Sequence, residues 1–523
     1  MRFEDEHLLA VAKPAGVTTH RTSEHGQDGM VEWVQRQRPG VALSILHRLD
    51  KATSGLLVLG KTTAANRSLA AQFEGRTIAK RYELLVRHDP SRARALRCDE
   101  PLGAPGRSGP RRDASTDFSL AAEGETFDRW LARPHTGRTH QVRLHATALG
   151  IPVLGDLEHD GSPAARLFLH AAGLGFEHPT TGPVELAADR PSSFDRVLEG
   201  ADPRGAALAA AVAHEARAAL FDPTDTDAYL WIDRHHDGFP DVRVERLGDV
   251  ALALHYGDAS EPLPRAWLDA WADVLDLRAI YELRRPRGGG GGPARVVRGP
   301  GHPRFEVTEL GCRYLIDLGA SATSSGLFLD QRETRRRLLS SDLSGRTVLN
   351  VFAHTGSLSV AAALAGAETL TVDLSTRYLD WARENLRANG IDPGEHDAVY
   401  GDALDWMDRF AKRGRRFDVV LVDPPSTSTS GKKRRTRWVA ERDLHSVVAR
   451  GARLCNPGGT LFVSTNLHRM RWPQFLGHLS RGLADAGRSG TVETQTLPLD
   501  HRSGPGDPPY LKAAWVQLDA EPG

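Results

Sequence analysis

Val348-Leu349-Asn350-Val351-Phe352-Ala353-His354-Thr355-Gly356-Ser357 reads as a strand, a turn around one glycine and the start of an Ala-rich helix that continues to Ala365. The texture persists downstream: strand at Leu370–Asp373, helix at Tyr378–Asn389, strand at Asp418–Asp423, helix at Leu444–Leu454, strand at Thr460–Ser464. Strands alternating with helices predict a parallel, doubly wound sheet. Such sheets bind nucleotide-like ligands outside the carboxyl ends of their strands, which is where the Gly356 turn falls. Asp373 ends the second strand about 20 residues later, where a ribose-binding acid belongs. A dinucleotide would be served equally well by that acid. The GxGxxG pattern is missing, however, because Phe352 to Ser357 holds only Gly356.

Working outward, the 523 residues exceed one ordinary domain, and 40% apolar composition suffices for globular cores. The texture before Leu338 differs. Short strands (Leu8–Ala12, Leu56–Leu59, Tyr82–Val86) and a Gly/Pro/Arg-rich loop at Gly103–Arg112 fill the stretch to Pro191. Ala206–Leu220 has helix-favouring composition and is expected to join two domains. A strand-rich stretch begins at Ala228, interrupted by the flexible Gly288–Gly292 run. Cys98, Cys312 and Cys455 form no CxxC pair, which argues against a disulfide framework or a cysteine zinc site and fits a reducing cytoplasm. No run reaches the length of a membrane helix, and the acidic start lacks a signal-peptide core. Zero formal net charge disfavours indiscriminate nucleic-acid coating but permits local basic patches. Three exist: Arg332 with Arg335-Arg336-Arg337, Lys432–Arg435 with Arg437, and Arg284-Arg285 with Arg287.

The segment His47-Arg48-Leu49-Asp50-Lys51-Ala52-Thr53-Ser54-Gly55-Leu56-Leu57 sets a carboxylate before a Gly turn and a strand. Gly137-Arg138-Thr139-His140-Gln141-Val142-Arg143-Leu144-His145 crowds cations, histidines and a glutamine together. A lone loop Asp is ordinarily a turn residue; the combination changes that. With Val11–Val17, Lys80-Arg81-Tyr82, Gly155-Asp156, Leu169-His170-Ala171 and Phe176–Pro179 in order, the chain to about Arg190 resembles the RluA family of pseudouridine synthases. The S4 RNA-binding module that many members carry is not seen. The resemblance implies isomerisation of uridine without cofactor, with Asp50 as nucleophile or base. It further implies that Arg143 pairs with Asp50 and holds it ionised, and that Tyr82 packs on the flipped base. His47, His140 and His145 read as structural or RNA-facing, and nothing in their spacing suggests metal ligation.

In the doubly wound part, Gly401-Asp402-Ala403 follows a strand, and Val419-Val420-Leu421-Val422-Asp423-Pro424-Pro425 ends one in a rigid turn. The DPP motif resembles class I methyltransferases. Asp225 to Lys512 resembles the RlmI/RlmK group of large-subunit ribosomal RNA methyltransferases, through Thr323–Arg332 with its Gly-Leu-Phe-Leu-Asp-Gln-Arg, Glu384–Gly390 and Tyr510-Leu511-Lys512. Asp227–Val250, with Asp237-Gly238-Phe239-Pro240, looks like the accessory domain of these enzymes. The resemblance implies S-adenosyl-L-methionine as cofactor, held by Asn350, Phe352, Gly356, Asp373, Asp402 (toward the adenine amino group), Asp423 and Pro424. Phe328, Gln331 and Arg332 would close over it, and Asp423 would serve at the reacting centre. A cap and a surface charge are the plainer alternatives for Gln331 and Arg332.

Making 5-methylcytosine needs a thiolate. Neither place for it, Asp423–Ser426 or Phe462–Asn466, holds cysteine, and Cys455 reads as a small buried hydrophobe. Amino-group methylases follow their PP with an aromatic; here Ser426 follows. What remains favours guanine N7, already nucleophilic, as the RlmK half of the group implies, which Asp423–Lys433 resembles more than RlmI. The basic run at 432–437 sits where it could meet RNA phosphates. The expectation is a multidomain α+β and α/β chain. It comprises a mixed antiparallel-sheet pseudouridine synthase (1–198), a helical linker (199–224), a small α+β accessory domain (225–320) and a Rossmann-like class I methyltransferase (321–523). It would act in the cytoplasm on RNA, 23S rRNA or a pre-50S particle, with no membrane or metal partner. Transfer RNA as uridine substrate, 5-methylcytosine as product, and one catalytically dead half serving only to bind RNA are the alternatives.

Overall fold

The computed structural model describes residues 2–103, 110–257, 261–286, 292–319, 324–430, 436–503 and 509–520. Most of the Gly103–Arg112 loop, the glycine run 288–291, Arg287, Thr323 and the basic run 432–435 lie outside them, as does the side chain of Arg437.

The N-terminal part is a ten-stranded mixed sheet. Its spine is the strand Leu169–His178, with Ala79–Arg87 antiparallel on one side and Ser54–Gly60 on the other, joined in parallel only at Ser54↔His170 and Gly55↔Ala171. Gly55 (φ +125°) is obligatory there, since a Cβ would strike the Ala171 backbone. The strand expected at Leu8–Ala12 runs Leu8–Lys13, and the one expected at Tyr82–Val86 runs Ala79–Arg87.

The helix Ala206–Ala218 is packed rather than tethering. Leu208 and Val212 join Phe168 and Phe194 of the first core, while Ala209, Ala210 and Ala213 meet Trp231, Phe239 and Trp271 of the next. Small side chains let it lie between both layers. There follows a five-stranded sheet in the order Ala228–Asp233, Val242–Leu247, Val250–Gly257, Ala279–Pro286, Arg295–Arg298, covered by helix Arg265–Leu275. A hairpin, Arg304–Glu309 with Cys312–Asp317, leads into the last part.

That part is a seven-stranded sheet. Its order is Asp397–Tyr400, Glu368–Asp373, Thr347–Val351, Phe417–Val422, Cys455–Thr465, Lys512–Leu518, Gly490–Gln495. The first five are parallel, and Lys512–Leu518 runs antiparallel to both neighbours. The doubly wound expectation thus holds, with one reversed strand added. Among the described residues no helix is long and apolar enough to cross a membrane.

Two candidate active sites

Asp50 sits in the loop entering strand Ser54–Gly60, Tyr82 on strand Ala79–Arg87 and Arg143 on helix Gln141–Ala148. The fold brings all three to one cleft of about 860 Å3, with Lys51, Lys80 and Arg138 also in its wall. Among its lining residues the carboxylates are Asp50 and Glu74, against a majority of lysines and arginines, a balance suited to a polyanion. Burial, reinforced by the Asp50 charge, pushes the Tyr82 phenol up to about 12, so its ring stays neutral. The Asp50 loop is held from within. Thr19 Oγ1 donates to the Leu49 carbonyl (2.9 Å) and accepts the Leu49 N–H (3.1 Å), and Gly16 N–H donates to the Lys51 carbonyl (2.7 Å). Lys13, whose ammonium burial drives down to about 7, donates to the carbonyls of Val17 (2.8 Å) and Lys51 (3.4 Å).

The expected Arg143–Asp50 pair is not formed. Arg143 grips both oxygens of Asp156 (2.7 and 2.5 Å) and reaches Glu158 (2.6 Å). Asp156 is 1% exposed, and a carboxylate that deep requires a bidentate counter-charge. Within 4 Å of Asp50 stands the ring of His140, with Nε2 3.9 Å from Oδ2, an ion pair only when the imidazole carries a proton. His140 in turn lies 3.1 Å from the His159 ring. Ligand atoms of His140, Glu158 and His159 fall within 4.8 Å of one another, a set that could hold a metal, although Arg143 already takes the Glu158 oxygen. Nothing in sequence spacing pointed to Glu158 or His159. His47 accepts the Val58 N–H (3.0 Å), and burial takes its imidazole down to about 4; His145 is bonded through both nitrogens to Thr116 and the Glu100 carbonyl. Both side chains are thus tied into the fold, although His47 also lines the cleft.

In the last sheet, Gly356 (φ +72°) caps helix Ser357–Leu364, and a Cβ there would lie 2.6 Å from that of Ala382. Phe352 (φ +59°) and His354 (φ +51°) are also left-handed, a concentration of backbone strain that marks functional loops. The loop is held by Asp373, whose oxygens accept the His354 N–H (2.8 Å) and the Ser375 N–H (2.9 Å); burial raises this carboxyl. Asp402 spends Oδ1 capping helix Ala403–Lys412 through Leu404 N–H (2.9 Å). Gln331 donates to Asp423 Oδ2 (2.9 Å) and Ser464 donates to its Oδ1 (2.6 Å), while burial drives Asp423 up to about 6. Pro424 is buried beside it, and Ser426 donates to Asn466 (2.6 Å), so the Asp423–Ser426 and Phe462–Asn466 stretches meet.

Two expectations fail here. Asn350 does not face the loop: its side chain is buried and donates to Ser359 (2.9 Å) in the strand–helix layer. Arg332 is not a closing residue. It is 1% exposed, bonded to Glu309 (2.9 Å), Asp500 (2.7 Å) and the Ala228 carbonyl (3.1 Å), because the start of helix Arg332–Leu339 is enclosed beside the first strand of the middle sheet. Nor are Arg332 and Arg335–Arg337 a solvent patch: Arg335 is buried on Glu309 (2.5 Å), Arg336 pairs with Glu333 (3.5 Å) and Arg337 with Glu493 (2.8 Å). Arg284 pairs with Glu282 (3.3 Å). His354 went unassigned in the sequence. It lies against Phe328 (4.8 Å between centroids) and Tyr378 (4.2 Å), and burial takes it down to about 4. Phe328 itself is 42% exposed. Asp330, which accepts the Tyr510 hydroxyl (3.0 Å), and Glu245, driven up to about 7 by burial, add two carboxyls near Asp423 and Ser325.

Cys455 lies at the far end of the sheet. It pairs with Phe417, where that strand begins, whereas Asp423 follows its end. Burial pushes its thiol up to about 12, which is the state of an inert structural cysteine.

Residues 7–148 match the RNA pseudouridylate synthase family model, and residues 291–486 match that of the S-adenosylmethionine-dependent methyltransferases. The "Ribosomal RNA large subunit methyltransferase K/L" of Allochromatium vinosum is 42% identical over 235 residues, 45% of this chain and 30% of that protein. The "Putative ribosomal RNA large subunit methyltransferase YwbD" of Bacillus subtilis is 31% identical over 313 residues, 58% of this chain and 78% of that one. The chain spans less than a third of the K/L relatives first named by this similarity. A solved structure described as "A putative sam-dependent methyltransferase from Streptococcus mutans" superposes with a TM-score of 0.53 at 23% identity, covering 66% of this chain and 88% of that one, a likeness of fold.

Proposed function

Because the chain belongs to the S-adenosylmethionine-dependent methyltransferase family and carries an RNA pseudouridylate synthase match ahead of it, we propose that it modifies large-subunit ribosomal RNA at two sites, isomerising a uridine and methylating guanine N7. The units are 1–198 for the isomerase, 225–320 as accessory and 321–523 for methyl transfer, with 199–224 between them. One observation carries the reading: two carboxylate-centred sites, at Asp50 and at Asp423, stand on separate sheets, the first in a cleft whose charged lining residues are mostly lysine and arginine.

In the first site Asp50 attacks the sugar or the pyrimidine of a flipped uridine, the N1–C1′ bond breaks, and the base rejoins the sugar through C5 as Asp50 is released, C5 losing its proton and N1 gaining one. Tyr82 offers its neutral ring to the displaced base. Arg143 is committed to Asp156 and Glu158 and stiffens the cleft wall.

In the second site the donor supplies a methyl group on a sulfonium. The strained Phe352–Gly356 turn and the half-buried Asp373 carboxyl fit such a ligand: Asp373 would accept ribose hydroxyls, Asp402 would meet the adenine, and Phe352 and Pro424 would wall it in. Phe328, exposed and packed on His354, would close over the donor. Gln331 and Ser464 orient Asp423 at the edge where the acceptor base enters. Guanine N7 carries its own lone pair and needs no proton removed, and the inert Cys455 leaves cytosine C5 without a nucleophile. The test is mass spectrometry of digested ribosomal RNA from cells with and without this gene. Loss of one pseudouridine and one methylguanosine is expected; loss of methylcytidine would overturn the choice of atom, and unchanged ribosomal RNA would overturn the substrate.

A further inference from the structure

The segment Leu499–Ser503 belongs to the methyl-transfer part, yet it is built into the wall behind the Asp50 loop. Leu499 is buried among Leu9, Val11, Val17, Met30 and Leu57 of the N-terminal core. Gln27 donates to the carbonyls of Pro498 (3.3 Å) and His501 and accepts the Ser503 hydroxyl (2.9 Å). Lys51, the neighbour of Asp50, donates its ammonium to the Ser503 carbonyl across 2.9 Å. The Arg502 guanidinium fills the space over Gly16, where any Cβ would overlap it, and Gly16 is the residue whose N–H holds the Lys51 carbonyl.

The far side of the segment is equally fastened. Asp500 accepts the Leu230 N–H (2.9 Å) and Arg332 Nη1 (2.7 Å). Arg502 N–H donates to Asp233 (3.0 Å), and its Nε lies 3.4 Å from Asp237. Arg502 is thus held at both ends, pressed against the glycine that fixes the Asp50 loop. The electrostatics agree with this proximity: burial lowers the Lys51 ammonium, and the Arg502 charge lowers it further.

We propose that Arg502 is a positioning residue for the reaction at Asp50, so that the methyl-transfer part completes the isomerase site. This rests on the reading of Asp50 as the group that attacks uridine. Arg502 is not among the residues lining the cleft, so its influence passes through Gly16 and Lys51 rather than through contact with RNA. Small misplacement of an attacking group is enough to cost turnover.

The test uses the full chain with an unmodified ribosomal RNA transcript, following pseudouridine and methyl incorporation together. Arg502→Ala and Gln27→Ala loosen the segment from opposite sides. Asp237 keeps its two bonds from Arg217 (2.8 and 2.6 Å) in the first variant, which limits damage to the fold. Both variants are expected to lower kcat for pseudouridine formation by about tenfold or more with KM within about twofold, leave methylation within about twofold, and in Arg502→Lys regain most of the loss. Wild-type isomerisation in both variants would overturn the inference, as would a parallel fall of both activities with the unfolding midpoint. Absence of pseudouridine with the unmutated chain would instead overturn the reading of Asp50, and the inference with it.

Discussion

Gln331 donates its side-chain amide to Asp423 across 2.9 Å, joining residues 92 apart in sequence at the edge of the methyl-transfer sheet. The same amide nitrogen lies 3.2 Å from Ser464 Oγ, and Gln331 Oε1 accepts the Thr334 hydroxyl at 2.6 Å. The glutamine is therefore fixed at both ends and transmits that order to a carboxyl which burial has pushed up to about 6. Gln331→Ala would leave one oxygen of Asp423 without a donor, a loss of about 1–3 kcal/mol where the group is buried. Methyl transfer should fall by about 5- to 100-fold while pseudouridine formation is unchanged. Single-turnover methylation measures this, and an unaltered rate would remove Gln331 from the site.

Asp50→Ala should abolish pseudouridine formation, by at least about 100-fold, and leave methylation intact. The two sites stand on different sheets, so the deletion is not felt at Asp423 through any shared bond. Parallel loss of both modifications in the RNA digest would contradict that independence.

His354 is buried between Phe328 and Tyr378, and burial takes it from an ordinary imidazole down to about 4. The unfolded chain binds a proton at this residue near pH 6.5, before the folded chain does, so the group costs stability progressively as pH falls from about 6.5 toward about 4. His354→Phe keeps a ring in place and removes the proton. The stability of the variant relative to the parent chain should therefore rise between pH 7.5 and pH 5, read from urea unfolding at each pH. A difference independent of pH would show that the imidazole is not desolvated.

Arg332 is enclosed with Glu309 and Asp500, so Arg332→Ala leaves both carboxylates short of a partner and should cost about 3–5 kcal/mol. Arg332→Met, which fills the same space, should behave no better because the acids remain. Chemical denaturation measures the loss. A stable variant with weakened donor binding would restore Arg332 to the cofactor site.

Cys455→Ala should methylate RNA within about twofold of the parent chain, since a thiol held up at about 12 at the opposite end of the strand supplies no thiolate. A large loss of methyl transfer, with folding intact, would reopen cytosine as the acceptor.

Much of the fold was legible in sequence because the signals are local. The strand that opens the Val348–Ser357 stretch runs Thr347–Val351, and Gly356 and Asp373 stand at the turn and strand end where their spacing put them, because hydrophobic periodicity and glycine conformation act over a few residues. The order of the motifs likewise placed Asp50, Tyr82 and Arg143 around one cleft. The choice of partner among several charges was not legible. Arg143 turns to Asp156 and Arg332 to Glu309 and Asp500, because ion pairing in a buried place depends on which carboxylates have been stripped of water, and that is known only once the layers have packed. The reach of Ser503 to Lys51 belongs to the same class. By itself the sequence determined the alternation of strands and helices and the positions of Asp50 and Asp423 at the ends of local elements. Tertiary structure alone decided which of those groups are held, by what, and that a segment near the end of the chain lies behind the loop near its beginning, since such contacts arise from burial between distant layers rather than from any local preference.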